Sequence, residues 1–119
     1  MKKKLTAMNG KITENQITFT VGEAINHLRP AEQILVDSDQ LSFIYLMEDH
    51  EDYSYIAFPE ETWELLKTAV KNKLPVWLSF NNEQVELSQF TEELDYIISN
   101  IRGNGNYGDQ MVSKVEENF

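Results

Sequence analysis

Between Tyr53 and Arg102 the apolar positions alternate, recur at helical spacing, alternate again and then return to helical spacing. That succession of periods predicts strand, helix, hairpin and helix, in that order. Tyr53 to Phe58 reads as the strand, and Pro59 stands where the helix begins, since its missing N–H is harmless at a first helical position. Trp63, Leu66, Ala69 and Val70 make the apolar stripe. Glu60, Glu61 and Glu64 fall near the positive end of the helix dipole, and Lys67, Lys71 and Lys73 near its negative end. Pro75 forces the exit. Val76, Leu78 and Phe80 alternate with Trp77 and Ser79, and Asn81-Asn82 tolerates positive φ, so a tight hairpin should lead to Val85 and Leu87. Ser88 is a candidate N-cap for the cleanest amphipathic helix, which carries Phe90, Leu94, Ile97, Ile98 and Ile101 and ends at Gly103.

The first half is less regular. Leu5 to Met8 and Gln16 to Val21 read as strands, with Ile17, Phe19 and Val21 on one face. Glu23 to Pro30 reads as loop or weak helix ended by the proline, and Ile34 to Val36 as a short buried strand. Asp37-Ser38-Asp39-Gln40 is a turn, because aspartate side chains accept from backbone two residues on. Leu41 to Met47 is a strong strand: Leu41, Phe43, Tyr45 and Met47 line one face, Ser42, Ile44 and Leu46 the other. Apolar residues on both faces place it centrally in the sheet. Glu48 to Asp52 is a charged loop, and Asp109 can cap a short last helix presenting Met111, Val112, Val115 and Phe119. The expected architecture is α+β: one domain over residues 1–119, with an antiparallel sheet of about six or seven strands. Two main helices should lie on one face, with a short C-terminal helix beside them.

Composition narrows the function classes. The chain has 119 residues and no cysteine, which excludes a disulfide framework, a thiolate metal site and a cysteine nucleophile. No apolar run approaches the roughly 20 residues that span a bilayer. Lys2, Lys3 and Lys4 look like the start of a signal peptide, but Leu5 to Lys11 is too polar and too short to continue one, so a cytoplasmic location is expected. The net charge is −10. From Pro30 to Leu66 there is no lysine or arginine, only Glu32, Asp37, Asp39, Glu48, Asp49, Glu51, Asp52, Glu60, Glu61 and Glu64. Such a surface repels a phosphate backbone.

Candidate chemistry is sparse. Gly103-Asn104-Gly105-Asn106-Tyr107-Gly108 has the letters of the dinucleotide fingerprint, but that motif needs a strand before it, and here a helix precedes it. Counted from Asp37, a twelve-residue calcium loop would put Glu48 in its bidentate place, yet Leu41 and Ser42 hold the fifth and sixth positions and the interval reads as strand. Asp49-His50-Glu51-Asp52 reads as a solvated hairpin loop, and His27, beside Arg29, as surface. Ser79 and Ser88 lack a nucleophile context. No catalytic, cofactor-binding or metal-ligating residue is assigned, and neither enzymatic activity nor a cofactor is expected.

Aromatic residues are the exception. Tyr45, Tyr53, Tyr55 and Trp77 all fall on expected strands, with Tyr45 and Tyr53/Tyr55 flanking one hairpin. Two helices cover one face of a sheet this size, so these rings should lie on the other face as an interface for a protein partner or a second copy. The competing arrangement has the N-terminal strands or the last helix covering them.

The run Ile34-Leu35-Val36-Asp37-Ser38-Asp39-Gln40-Leu41-Ser42-Phe43, Trp63, and the tail from Asn100 through Gly103 to Gly108 resemble a family of small uncharacterised proteins from bacilli (YjbL-like). The resemblance covers nearly the whole chain. It implies a cytoplasmic bacterial protein and brings no activity with it; the Asp37 turn and the Gly103 loop are its best-marked segments. The expected function is a non-enzymatic protein-binding or regulatory module, including self-association as a homodimer. The alternative is a small-ligand or divalent-metal-binding protein using the acidic turns. Neither nucleic acid nor a membrane is an expected partner. Titration with duplex DNA at physiological ionic strength should give no binding, and tight, salt-sensitive association would contradict the charge argument.

Overall fold

The computed structural model describes residues 3–50 and 52–119. Its elements run β1 (Lys3–Thr6), β2 (Met8–Thr13), β3 (Gln16–Thr20), β4 (Arg29–Asp37), β5 (Ser42–Asp49), β6 (Asp52–Pro59), α1 (Trp63–Asn72), β7 (Val76–Phe80), β8 (Glu83–Glu86), α2 (Phe90–Ile101) and α3 (Asp109–Asn118). The class is α+β. The strands do not form one antiparallel sheet of six or seven. They form two four-stranded mixed sheets, the first in order β1-β6-β5-β4 and the second in order β2-β3-β7-β8. Alternation says which residues are extended, not which strands become neighbours. Here β1 runs parallel to β6 and β3 parallel to β7, pairings that bridge the two halves of the chain.

Ala7 is the joint between the sheets. Its N–H donates to the Ala57 carbonyl at 2.9 Å, carrying the β1 ladder one residue further before the chain continues as β2 in the second sheet. Periodicity does not signal β2, because Asn9, Gly10 and Lys11 break it. At Gly10 the backbone itself packs: a Cβ would lie 2.6 Å from the Phe19 ring and closer still to Leu65. β4 begins earlier than expected and contains Pro30. An edge strand tolerates that residue, and the register shifts between Pro30 and Ile34, where Glu32 has φ 57°. β5 is central in its sheet, as its two apolar faces require.

Several helix ends differ from the sequence reading. Pro59 closes β6, and a 3-10 turn over Glu60–Thr62 precedes α1. Gln89 in the left-handed region, not Ser88, precedes α2, and Gly108 at φ 92° precedes α3, so Asp109 is its first residue instead of its cap. The segment between β3 and β4 is a bent loop that buries Ile25 and Leu28. The Glu83 carboxylate holds it, accepting from the backbone N–H of Ile25 at 2.7 Å and of Asn26 at 3.0 Å.

One apolar cluster joins the inner faces of both sheets to all three helices. Phe58 of β6 meets Phe19 of β3 edge-on at 5.3 Å and Phe90 of α2 at 4.9 Å. Trp63 stacks near Phe43 and Phe119, and its indole N–H donates to the Phe58 carbonyl at 3.2 Å. Tyr45, fully buried, donates its hydroxyl to the Ser88 carbonyl at 2.7 Å and so pins β5 to the start of α2. Extents of 40 × 37 × 20 Å match one layer of strands under one of helices.

Two outcomes follow from this core. Leu94 is fully buried, so Leu94→Ala should lower unfolding free energy by about 2–5 kcal/mol in chemical denaturation, and a loss below about 1 kcal/mol would place it outside the core. Burial pushes the Tyr45 hydroxyl up from 10.0 to about 12. The folded chain therefore holds this proton more tightly than the unfolded one. The stability linked to Tyr45 is whole below about pH 10 and is lost as pH rises from there towards about 12. Tyr45→Phe removes the Ser88 bond and should cost about 1 kcal/mol near pH 8. The gap between the two proteins should narrow at about pH 11, and a gap that stays constant would contradict the shift.

Candidate functional site

Pairing between β5 and β6 decides where the aromatics go. Tyr45 pairs with Ile56, while Leu46 pairs with Tyr55 and Glu48 with Tyr53. Neighbouring residues on a strand point to opposite faces. Tyr45 therefore points inward, while Tyr53 and Tyr55 point outward. Trp77 lies on the second sheet, half-buried, between Thr18 and Glu86 in the register. The four rings expected on one face thus occupy three places, and Tyr45 is core. Periodicity placed each on a strand but could not tell in which of two sheets, or on which side of the pairing, each would fall.

What the outer face of the first sheet does carry is a second apolar cluster of Ile44, Leu46 and Ala57, with Ala31 and Tyr55 packed against it. All five are strand residues; the buried residues of the three helices belong to the inner cluster. In register, one row across the sheet reads Leu35, Ile44, Ala57 and Thr6, and the next Leu46, Tyr55 and Lys4. Leu35 is 41% exposed and Tyr53 42%. A third row holds Arg29, Glu48 and Tyr53, with the guanidinium 3.8 Å from the carboxylate. Asp37 pairs with Ser42 at one end. The outward charges in these rows are two cations, Lys4 and Arg29, and two carboxylates, Glu48 and Asp37. The face is electrically balanced in a chain of net charge −10. Sequence reasoning used Ile44 and Leu46 only to place β5 centrally and read Leu35 as part of a buried strand, whereas it is exposed; the signal was the apolar second face of β5.

The other candidates resolve into structural roles. Asp37 Oδ1 accepts from the Gln40 N–H at 3.2 Å, which makes the Asp37 segment the turn between β4 and β5. Gly103 adopts φ 70°, and its N–H donates to Glu116 of α3 at 2.9 Å, while the Asn104 side chain accepts from the Asn106 N–H. The Gly103 loop is a connector from α2 to α3. Arg102 is the C-cap of α2, its N–H donating to the Ile98 carbonyl at 3.1 Å, and its guanidinium also donates to a main-chain oxygen of Phe119 at 2.6 Å. His27 does have a carboxylate neighbour in space: Asp49 lies 3.7 Å from its Nε2 and 3.8 Å from that of His50. Among the described residues no group of three or more histidine, aspartate or glutamate side chains is placed to hold a metal ion. No helix among them is long and apolar enough to cross a membrane.

The comparisons with known proteins follow the whole length of this fold. A family model described as a family of unknown function, UPF0738, matches residues 5–119. A UPF0738 protein of Staphylococcus saprophyticus is 42% identical over 92% of this chain and 90% of its own length. One from Lysinibacillus sphaericus is 38% identical over 100% of this chain and 95% of its own. One from Bacillus cytotoxicus is 35% identical over 100% and 99%. No solved structure matches. With the family model matched from the first core residue, Leu5, to Phe119, and relatives this similar along almost their full length, the chain belongs to the UPF0738 family.

Proposed function

We propose that this protein is a cytoplasmic, non-enzymatic binding module that pairs with a second copy of itself through the outer face of its first sheet. One observation carries the reading: exposed Leu35 and Tyr53 and half-buried Tyr55 stand on an outer face made only of strand residues, over a small apolar cluster of Ile44, Leu46 and Ala57 that is itself buried, with balanced charge in the rows. Two copies each carrying ten negative charges repel over most of their surfaces. This face lets them approach without that cost, and its Tyr53, Tyr55 and Arg29 are the residue types that anchor interfaces. An isologous contact needs only one such patch per copy.

Light scattering after size exclusion tests it. The monomer mass is 13.8 kDa, and the expected species at about 100 μM is twice that, given a dissociation constant on the order of 1 μM. Leu35→Asp should return the monomer mass while leaving the low-concentration melting temperature nearly unchanged, because that side chain is exposed in the single chain. A wild-type protein that stays monomeric, or a Leu35→Asp variant that still dimerises, overturns the reading.

A further inference from the structure

On the opposite side of the molecule, α1 and α2 leave a groove of about 220 Å³ lined by Lys67, Val70, Lys71, Asp95, Ile98, Arg102 and Phe119. We propose that this groove binds a small organic carboxylate with an apolar body. Its floor is apolar: Val70, Ile98 and the Phe119 ring. Its charged lining residues are Lys67, Lys71 and Arg102 against Asp95, and with Arg102 already bonded to the Phe119 main chain the two lysines carry the excess of positive charge, in a protein whose net charge is −10. Among the described residues, Lys67 and Lys71 are in none of the ion pairs, so both ammonium groups are available to an incoming anion. They stand four residues apart on α1, one turn above the other on the same face.

Arg102 is held by its bond to the Phe119 main chain at 2.6 Å, and Phe119 is in turn fixed by ring contacts with Phe43 and Trp63. These two lining residues are therefore held before any ligand arrives, which reduces the entropy lost on binding. Asp95 on the α2 wall repels a second negative charge, which favours a monoanion over a more highly charged ligand. Hexanoate, one carboxylate on a short apolar chain, represents this chemistry.

The test is a two-dimensional amide NMR titration of the whole chain with hexanoate, against hexanol and hexylamine at equal concentration. Hexanoate should shift the amides of α1 and α2 around Lys67, Val70, Lys71 and Ile98 saturably, with a dissociation constant on the order of 1 mM. Hexanol should bind about tenfold more weakly, the equivalent of about 1.4 kcal/mol, and hexylamine should leave these amides unmoved. Lys67→Gln with Lys71→Gln should abolish the hexanoate shifts while the rest of the spectrum stays native, since both side chains are exposed. Equal responses to hexanoate and hexanol would reduce the groove to an apolar crevice. Either that, the absence of saturable shifts, or a double variant that still responds overturns the proposal.

Discussion

Phe58 is the contact on which the remaining structure depends. From the middle layer of β6 it touches the second sheet through Phe19 and the helix layer through Phe90, and its carbonyl receives the Trp63 indole N–H. Three layers of sequence, from residues 19, 58 and 90, meet within about 5 Å of one ring. The chain passes between the two sheets three times: at Ala7, through the loop from β3 to β4, and through α1 from β6 to β7. The Phe19–Phe58 contact joins the inner faces of the two sheets across their seam, within one apolar cluster.

That seam also explains the glycine at position 10. Where β2 leaves the first sheet it must lie flat on Phe19 and Leu65, and any side chain would push the strand away from the rings that hold the sheets together. Small residues at positions 7 and 10 thus let the large ones at 19 and 58 meet. The trade is local: two positions give up side-chain burial, and a cluster of aromatic rings gains continuous contact.

Placing all three helices on one side leaves the two sides chemically different. The strand side has a patch of branched and aromatic residues with balanced charge. The helix side has a half-open groove lined by Lys67 and Lys71 and by the bonded pair Arg102 and Phe119. The two histidines share one aspartate at distances beyond hydrogen bonding, and Tyr45, whose hydroxyl is strongly shifted, is a buried donor to a carbonyl. The polar chemistry of the chain is spent on holding loops: Glu83 on the Ile25 turn, Glu116 on Gly103 and Asp37 on Gln40.

Much of this was legible along the chain. Helix α2 with its stripe of Phe90, Leu94, Ile98 and Ile101, the β7–β8 hairpin around Asn81, the Asp37 turn and the central place of β5 all rest on local periodicity or turn chemistry. Local signals act over a few residues, and there the sequence suffices. It could not show β2, a strand through its irregular antiparallel pairing with β3, or the buried loop at Ile25, which a glutamate 58 residues away holds in place. Nor could it separate Tyr45 from Tyr53 and Tyr55, or assign Trp77 to another sheet. Which face a strand residue shows depends on its register with a partner strand, and which sheet it joins depends on contacts between distant segments. Those are decided by the collapse of both halves around one core, so the composition of the outer face and of the groove became visible only in the folded chain.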